Sequence, residues 1–379
     1  MKKIVFLVLH LGFGGIEKAV ISQANMLSDD YEVEIISTYK LYDTPPFEIN
    51  PNVKITYLLK DLKPNKKEFK DALHARSFFR VLSEGVKSVK ILFLRRFTMI
   101  KAIKNLDADF IVSSRFLYNS ILGKYKPKNT LVFAQEHRHH NDDKKYINKL
   151  VSSLKNIDVF LPVSKELTNF YHKKLMNTDT KCIYIPHFLD AIPDDVSNLD
   201  EKSIISVARL SPEKGFLDLI DVFKIVNEIY PDWKWHIFGD GEQKAEIVDK
   251  IVSLKLQDSI VLHGFQDKTS VNSALEKSSI YMMGSFEESF GLVLIEAQSY
   301  GVPCVAFSSA QGAMEIIDNQ VNGFLIENRD KKNMAKSILE LIEDKEKLKS
   351  FSSMSRKNSL KYKKENVKQE WIDLLESFN

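Results

Sequence analysis

Two cysteines, Cys182 and Cys304, are all that 379 residues contain. They cannot build a disulfide framework, and the lack of any C-x-x-C pair removes the usual dithiol and zinc signatures. That usage suits a reducing compartment, and a cytoplasmic location is the expectation. Long apolar runs are missing as well: no window approaches the roughly 18 residues of a membrane span. Met1-Lys2-Lys3 before Ile4–Leu9 imitates an export signal, but the run is short and meets His10 and a glycine-rich turn. A buried parallel strand explains it better. No repeat recurs at a fixed period. Disorder is excluded over most of the chain, since 44% of residues are apolar and 28% charged.

Charge is present but unevenly placed. Residues 1–190 hold 31 Lys/Arg and 20 Asp/Glu, whereas the remainder holds 23 and 31. Two halves of opposite sign suggest two domains with different partners. The excess is densest over residues 60–104, with 13 Lys/Arg against four acids. Phe78, Phe79, Val81 and Leu82, then Ile91–Leu94 and Phe97, interleave with those bases. A basic amphipathic stretch of this kind suits an anionic membrane surface. A solvated charged face around ordinary core residues is the competing reading, and the pattern matches no nucleic-acid module.

Strand-like and helix-like stretches alternate along the chain. Apolar runs predict strands at Ile4–Leu9, Val33–Thr38, Val53–Leu58, Phe110–Ser113, Leu131–Ala134, Val159–Val163 and Cys182–Ile185. The rhythm breaks at Pro186–Lys202, with two prolines and four aspartates. It resumes at Ile204–Val207, Trp235–Phe238, Ile260–His263, Ile280–Met283, Pro303–Phe307 and Phe324–Ile326, with helices between. The pattern predicts an α/β protein of two doubly wound, Rossmann-like domains facing across a cleft. The expected boundaries are 1–190, a linker at 191–202, 203–360, and a C-terminal helix in 361–379 packing back on the first domain. Ligands of such sheets bind beyond the carboxyl ends of the strands.

Three segments carry chemistry. Gly12-Phe13-Gly14-Gly15-Ile16-Glu17 follows the first strand and brings backbone and a helix N-terminus toward an anion. It is not G-x-G-x-x-G, and a plain strand-to-helix turn explains it as well. Arg209-Leu210-Ser211-Pro212-Glu213-Lys214 sets two cations in the turn after a strand, where they would neutralise a diphosphate leaving group. Solvated surface charges are the alternative. Glu288-Ser289-Phe290-Gly291-Leu292-Val293-Leu294-Ile295-Glu296 places two carboxylates around an apolar run. If it were helical throughout, the two would stand at most about 12 Å apart, a length suiting a nucleotide sugar. Glu296 is expected in a buried helix and therefore to need a partner, a structural ion pair being the alternative. The cluster Glu136-His137-Arg138-His139-His140-Asn141-Asp142-Asp143 fits no strong zinc spacing.

Together these pieces resemble the retaining glycosyltransferases of family 4, which have the GT-B architecture. The resemblance rests on Gly14-Gly15-x-Glu17, Arg209-x4-Lys214, Gly239-Asp240-Gly241-Glu242, His263-Gly264-Phe265, Glu288-x7-Glu296, Gly301-Val302-Pro303 and Asn322-Gly323-Phe324. It is dense from about 203 to 345 and thin over 1–190. It implies that Arg209 and Lys214 bind the diphosphate of a nucleotide sugar and that Glu288 holds the donor sugar. Glu296 would bind the ribose, and Phe290, Gly291 and Leu292 would give backbone amides to the phosphates. Gly264 and Phe265 would lie near the base, and Gly14 and Gly15 near the diphosphate. His137 would stabilise an oxocarbenium-like transition state through its ring or carbonyl. His139 and His140 would serve the acceptor or be surface groups.

The resemblance further implies no metal and no cofactor besides the nucleotide-sugar donor, expected to be a UDP-sugar. The transferred group would be a hexose or N-acetylhexosamine. The acceptor would be a glycan or lipid-linked chain in bacterial-type surface polysaccharide or glycoconjugate synthesis. A peripheral position on the inner membrane face follows from the basic segment. A nucleotide-sugar epimerase or hydrolase, or a non-catalytic scaffold subunit, are the alternatives. Two departures bear on the donor sugar and the crossover: Ile185-Pro186-His187 where the family often has Ile-Pro-Asn, and Ser308-Ser309-Ala310-Gln311-Gly312 where it often has paired glycines or Gly-Pro.

Overall fold

The first apolar run becomes β1 (Lys3–His10), a central strand whose residues from Ile4 to Leu7 are wholly buried. In the computed structural model, which describes residues 1–378, the chain divides into two units, Met1–Ile185 and Pro186 onward. The first continues through α1 (Gly15–Leu27), β2 (Glu32–Tyr39), β3 (Val53–Leu59), α2 (Lys66–His74) and α3 (Phe78–Lys104). It ends with β4 (Phe110–Ser113), α4 (Phe116–Tyr125), β5 (Leu131–Glu136), α5 (Lys144–Ser153), β6 (Val159–Pro162), α6 (Lys165–Leu175) and β7 (Lys181–Cys182). Within the described residues the strands run in the order β3-β2-β1-β4-β5-β6-β7, all parallel.

Parallel strands need helical crossovers, and helices on both faces bury both sides of each strand. That is why β1 and β4 read as near-continuous apolar runs rather than alternating ones. Asp143 caps α5 by accepting from the Lys145 and Tyr146 amides, and Ser164 caps α6 by accepting from Leu167. The expected strand at Cys182–Ile185 is shorter and begins one residue earlier, as β7.

The basic segment forms α2 and α3. On its inner side, α3 places Ile91 and Leu94 against Leu9, Tyr39 and Leu59, which stand at or near the carboxyl ends of β1, β2 and β3. Arg95 hydrogen-bonds the Tyr39 side chain. The helix therefore lies across the carboxyl edge of the sheet.

The second unit contains β8 (Ser203–Val207), α7 (Phe216–Ile229), β9 (Lys234–Phe238), α8 (Lys244–Ser253), β10 (Ile260–Gly264), α9 (Lys268–Lys277) and β11 (Ile280–Met283). It continues with α10 (Leu292–Ser299), β12 (Cys304–Phe307), α11 (Gln311–Ile316), β13 (Gly323–Ile326), α12 (Lys331–Glu343), α13 (Lys345–Ser359) and α14 (Lys364–Glu376). Its sheet has the order β10-β9-β8-β11-β12-β13, again parallel. The core is centred on Trp235, which stacks on Phe216 at 6.3 Å and packs on Phe223. Both units are thus Rossmann-like α/β folds.

The stretch 186–202 has no helix or strand, as the prolines and aspartates suggested. It belongs to the second unit and is bonded to the rest of it. The Ser197 hydroxyl donates to the Ser278 carbonyl at 2.7 Å, and the Ser197 amide donates to the Tyr300 carbonyl at 2.8 Å. Arg356 donates to the Pro193 carbonyl at 2.5 Å.

Candidate functional site

In the second sheet, chain order reverses between β8 and β11, and ligands of such sheets bind just beyond this switch point. The loop after β8 carries Arg209 and Lys214; the loop after β11 carries Glu288, Phe290 and Gly291. The two loops meet there. The Phe286 amide donates to the Glu213 carbonyl at 2.8 Å, and the Lys214 ammonium donates to a Glu288 carboxylate oxygen at 2.7 Å. Both side chains are about one-fifth exposed, 21% and 20%. An ammonium has three donors. One can stay on Glu288 while the others turn toward an anion at the carboxyl edge.

Arg209 does not join that pair. Its guanidinium is mostly exposed and donates to Glu213 at 2.5 Å. Glu213 is pulled upward in pKa by burial, but hydrogen bonds from Ser211, its own amide and Arg209 win and hold it below the usual carboxylate range. A diphosphate would have to take Arg209 from that surface pair, a small cost since such pairs contribute about 0–1 kcal/mol.

The run from Glu288 to Glu296 is not helical throughout. Gly291, with φ of 94°, turns the chain, and α10 starts at Leu292. A left-handed φ there suits only glycine without strain. The segment Glu288–Gly291 is consequently a loop, not the first turn. Glu296 is half-buried on α10 rather than enclosed in it. The Tyr281 hydroxyl registers both carboxylates: burial raises its pKa first, and Glu296 and Glu288 raise it further. The two glutamates thus share one electrostatic neighbourhood. Phe290 buries its ring against His187 at 5.0 Å and Tyr362 at 5.8 Å. The Leu294 amide donates to the Gly291 carbonyl at 2.8 Å, while the first two amides of α10 precede any helical partner and favour anions. Leu292 is the first residue of that helix.

Gly264 ends β10 and Phe265 follows it with its ring 79% exposed, at the same carboxyl edge. The loop after β12 and the start of α11 reach the site from the other side. The Gly312 amide donates to the Glu288 carbonyl at 2.7 Å, and a Cβ on Gly312 would lie 2.3 Å from the Phe290 carbonyl oxygen.

Sequence reasoning overlooked Arg329. Its guanidinium donates to the Ser285 and Gly284 carbonyls, the Ser309 hydroxyl and Asp218, at 2.7–3.2 Å. It also stacks on Phe286 with its central carbon 3.5 Å from the ring centroid. The fork of an arginine thereby sets the shape of the loop that carries Glu288. Its partners lie 20 to 111 residues away, so no local pattern announces it.

In the first unit the switch point lies between β1 and β4. Gly14 precedes α1, and a Cβ there would lie 2.1 Å from a Glu17 carboxylate oxygen. Without that obstruction Glu17 folds back, buried, and accepts from Arg115 at 2.6 Å. His10 stands 3.6 Å from the same oxygen, and burial lowers its pKa despite the pull of Glu17. Gly15 is the first residue of α1. Arg115 was also missed, although a cation directly after β4 at a switch point is a readable signal.

His137 follows β5 directly and is half-buried. Its neighbour Glu136 is buried, which raises its pKa against hydrogen bonds from Tyr146 and the backbone. Of the two expectations for His139 and His140, the surface one fails, since both are buried. His139 is buried and bridges Asn141 and Glu166 at 2.8 and 3.2 Å. His140 packs on Phe170 at 4.3 Å, and burial lowers its pKa. Aromatic neighbours on α6 draw them inward. Among the described residues no three His, Cys, Asp or Glu side chains are grouped to hold a metal ion.

Residues 190–358 match the family described as Glycosyl transferases group 1. The chain is 28% identical over 391 residues to an uncharacterized glycosyltransferase of Haemophilus influenzae, covering 99% of this chain and 100% of that one. It is 26% identical over 372 residues to an exopolysaccharide phosphotransferase of Streptomyces coelicolor, covering 95% of this chain. Only 39% of that longer protein is spanned. Among solved structures, the pneumococcal O-GlcNAc transferase GtfA, in complex with UDP and GlcNAc, gives a TM-score of 0.76 at 15% identity over 99% of both chains. Likeness at that identity is one of fold, and the fold is that of GT-B glycosyltransferases. Other relatives include a poly(glycerol-phosphate) alpha-glucosyltransferase of Bacillus subtilis, 27% identical over 69% of this chain and 40% of that protein.

Proposed function

We propose that this protein is a retaining glycosyltransferase moving a hexose or N-acetylhexosamine from a UDP-sugar to a glycan or lipid-linked acceptor. The observation that carries the reading is the meeting of Lys214 and Glu288 at the switch point of the second sheet, 2.7 Å apart. A cation and a carboxylate side by side suit a ligand with an anionic half and a hydroxyl-rich half. In the reaction the bond between the anomeric carbon and the diphosphate oxygen breaks. Negative charge grows on the diphosphate, where Lys214, Arg209 and the amides of Phe290, Gly291 and Leu292 would receive it. Positive charge grows on the sugar ring, where Glu288 would orient the hydroxyls and His137 would stabilise the cation. Glu296 would hold the ribose, and Gly264 and the exposed Phe265 would flank the base. Gly14 and Gly15 would bring backbone to the diphosphate. The acceptor hydroxyl then attacks on the face the leaving group vacated, and its proton passes to the departing diphosphate oxygen. A UDP complex in the neighbour GtfA supports the choice of nucleotide.

A panel of nucleotide sugars, followed by NMR of the product, tests this. The expected result is turnover of a UDP-sugar with the anomeric configuration kept. Turnover of no nucleotide sugar, or an inverted centre from an α-linked donor, refutes the reading.

A further inference from the structure

The longest helix turns apolar side chains outward. At about 100° per residue, Phe79, Leu82, Val86, Val89, Phe93 and Phe97 of α3 fall on one arc of about 80°. All six are exposed, Phe79 by 83% and Phe93 by 66%. They form a stripe about 27 Å long, while Ile91, Met99 and Ile103 are buried on other sides of the helix. Single exposed apolar residues are ordinary, but six in one line mark an interaction surface. Lys87, Lys90 and Lys101 border one margin of the stripe and Arg96 the other. Over its whole length α3 carries seven Lys/Arg and one acid, Glu84.

That charge selects the occupant. A second copy docking stripe to stripe would set two basic margins against each other, which like charge opposes. An anionic lipid surface instead offers acyl chains to the rings and headgroup charge to the lysines, within the 5–10 Å depth that interfacial helices reach. We propose that the exposed face of α3 seats in an anionic lipid bilayer surface and holds the protein there. The inner side of α3 packs on the carboxyl ends of β1, β2 and β3. Seating would hold that edge about one helix diameter, 10–12 Å, from the lipid. Resting on the glycosyl-transfer reading, this makes the acceptor an amphiphile anchored in the same surface.

The full chain is sedimented with vesicles of phosphatidylcholine alone and with vesicles containing phosphatidylglycerol, at low and high salt. At low salt, binding should favour the anionic vesicles by at least about tenfold and weaken with salt. Phe93→Glu with Phe97→Glu, and separately Lys90→Glu with Lys101→Glu, should each lower it by at least about tenfold. UDP binding by calorimetry and the circular-dichroism melt should be unchanged in both variants, the melt showing that the first unit still folds. Equal binding to both vesicle types, no sedimentation, or variants that sediment like the parent overturn the proposal. So does a concentration-dependent dimer that the phenylalanine variant abolishes while vesicles go unbound. Absence of UDP binding in the parent would instead count against the glycosyl-transfer reading and leave the lipid result standing.

Discussion

Removing Lys214 tests the heart of the site, because it acts on stability and on ligand binding in separable amounts. Lys214→Ala leaves the Glu288 carboxylate partly buried without the ammonium that now stands 2.7 Å away. Breaking a fully buried ion pair costs about 3–5 kcal/mol, and an exposed one about 0–1. With each side chain about one-fifth exposed, the expected loss lies between, at roughly 1–3 kcal/mol. For a unit of this size that lowers Tm by about 2–4 °C per kcal/mol. Glu288→Gln in the same chain removes the stranded charge and should restore most of the loss, a coupling of about 1–2 kcal/mol. Arg209→Ala is the control. That side chain is 66% exposed and its Glu213 partner 36%, so Tm should hardly move. Yet both alanine variants should weaken UDP binding by about ten- to a hundredfold, the worth of one charge-assisted contact. Circular-dichroism melts and calorimetry with UDP give the two readings. Lys214→Ala that melts and binds as the parent does would refute the argument at its root.

Glu288→Gln keeps shape but removes charge, so steady-state kinetics should show kcat falling more than donor affinity; Glu296→Gln should mainly raise the KM for donor. The reverse split would exchange the two assignments. Transfer should persist in saturating EDTA if cationic side chains and amides receive the diphosphate's charge. Activity that EDTA removes and a divalent ion restores would sink that view. His187 is half-buried, and loss of hydration lowers its pKa to about 4. An unfolded imidazole takes its proton near 6.5, so the folded state binds fewer protons between those values. Stability is therefore full above pH of about 6.5 and should fall by about 3 kcal/mol as pH drops to about 4. His187→Asn should flatten that slope in melts run across the window, and an unchanged slope would show that another group titrates.

The strands were legible because parallel sheets bury both faces, so Ile4–Leu9 or Ile280–Met283 appear as unbroken apolar runs. The cations of the second unit were legible because they sit in a short turn after such a run. The helix start at Leu292 was not, since a positive φ at Gly291 decides it and apolar residues continue on either side. The inward turn of His139 and His140 depends on Glu166, Phe170 and Tyr171 of α6, distant in sequence. In α3 the reading caught charge and amphipathy but not the helix's place across the carboxyl edge. Its most regular apolar spacing lies on the face away from the core, and only Ile91, Met99 and Ile103 are buried.

The contact of Gly312 with the Glu288 loop has a bearing on attempts to alter donor choice. On the glycosyl-transfer reading, the segment after β12, where the sequence departs from the pattern of the family it resembles, is the natural target for a combinatorial library. Position 312 is closed to such a library, because any side chain there would strike the Phe290 carbonyl. Ser309 is closed too, being tied to Ser285 and Arg329, and Ala310 is wholly enclosed. Diversity has to enter through Ser308, Gln311 and Met314, which are at least partly open. A change of sugar would then come from three side chains working on a backbone that is held still.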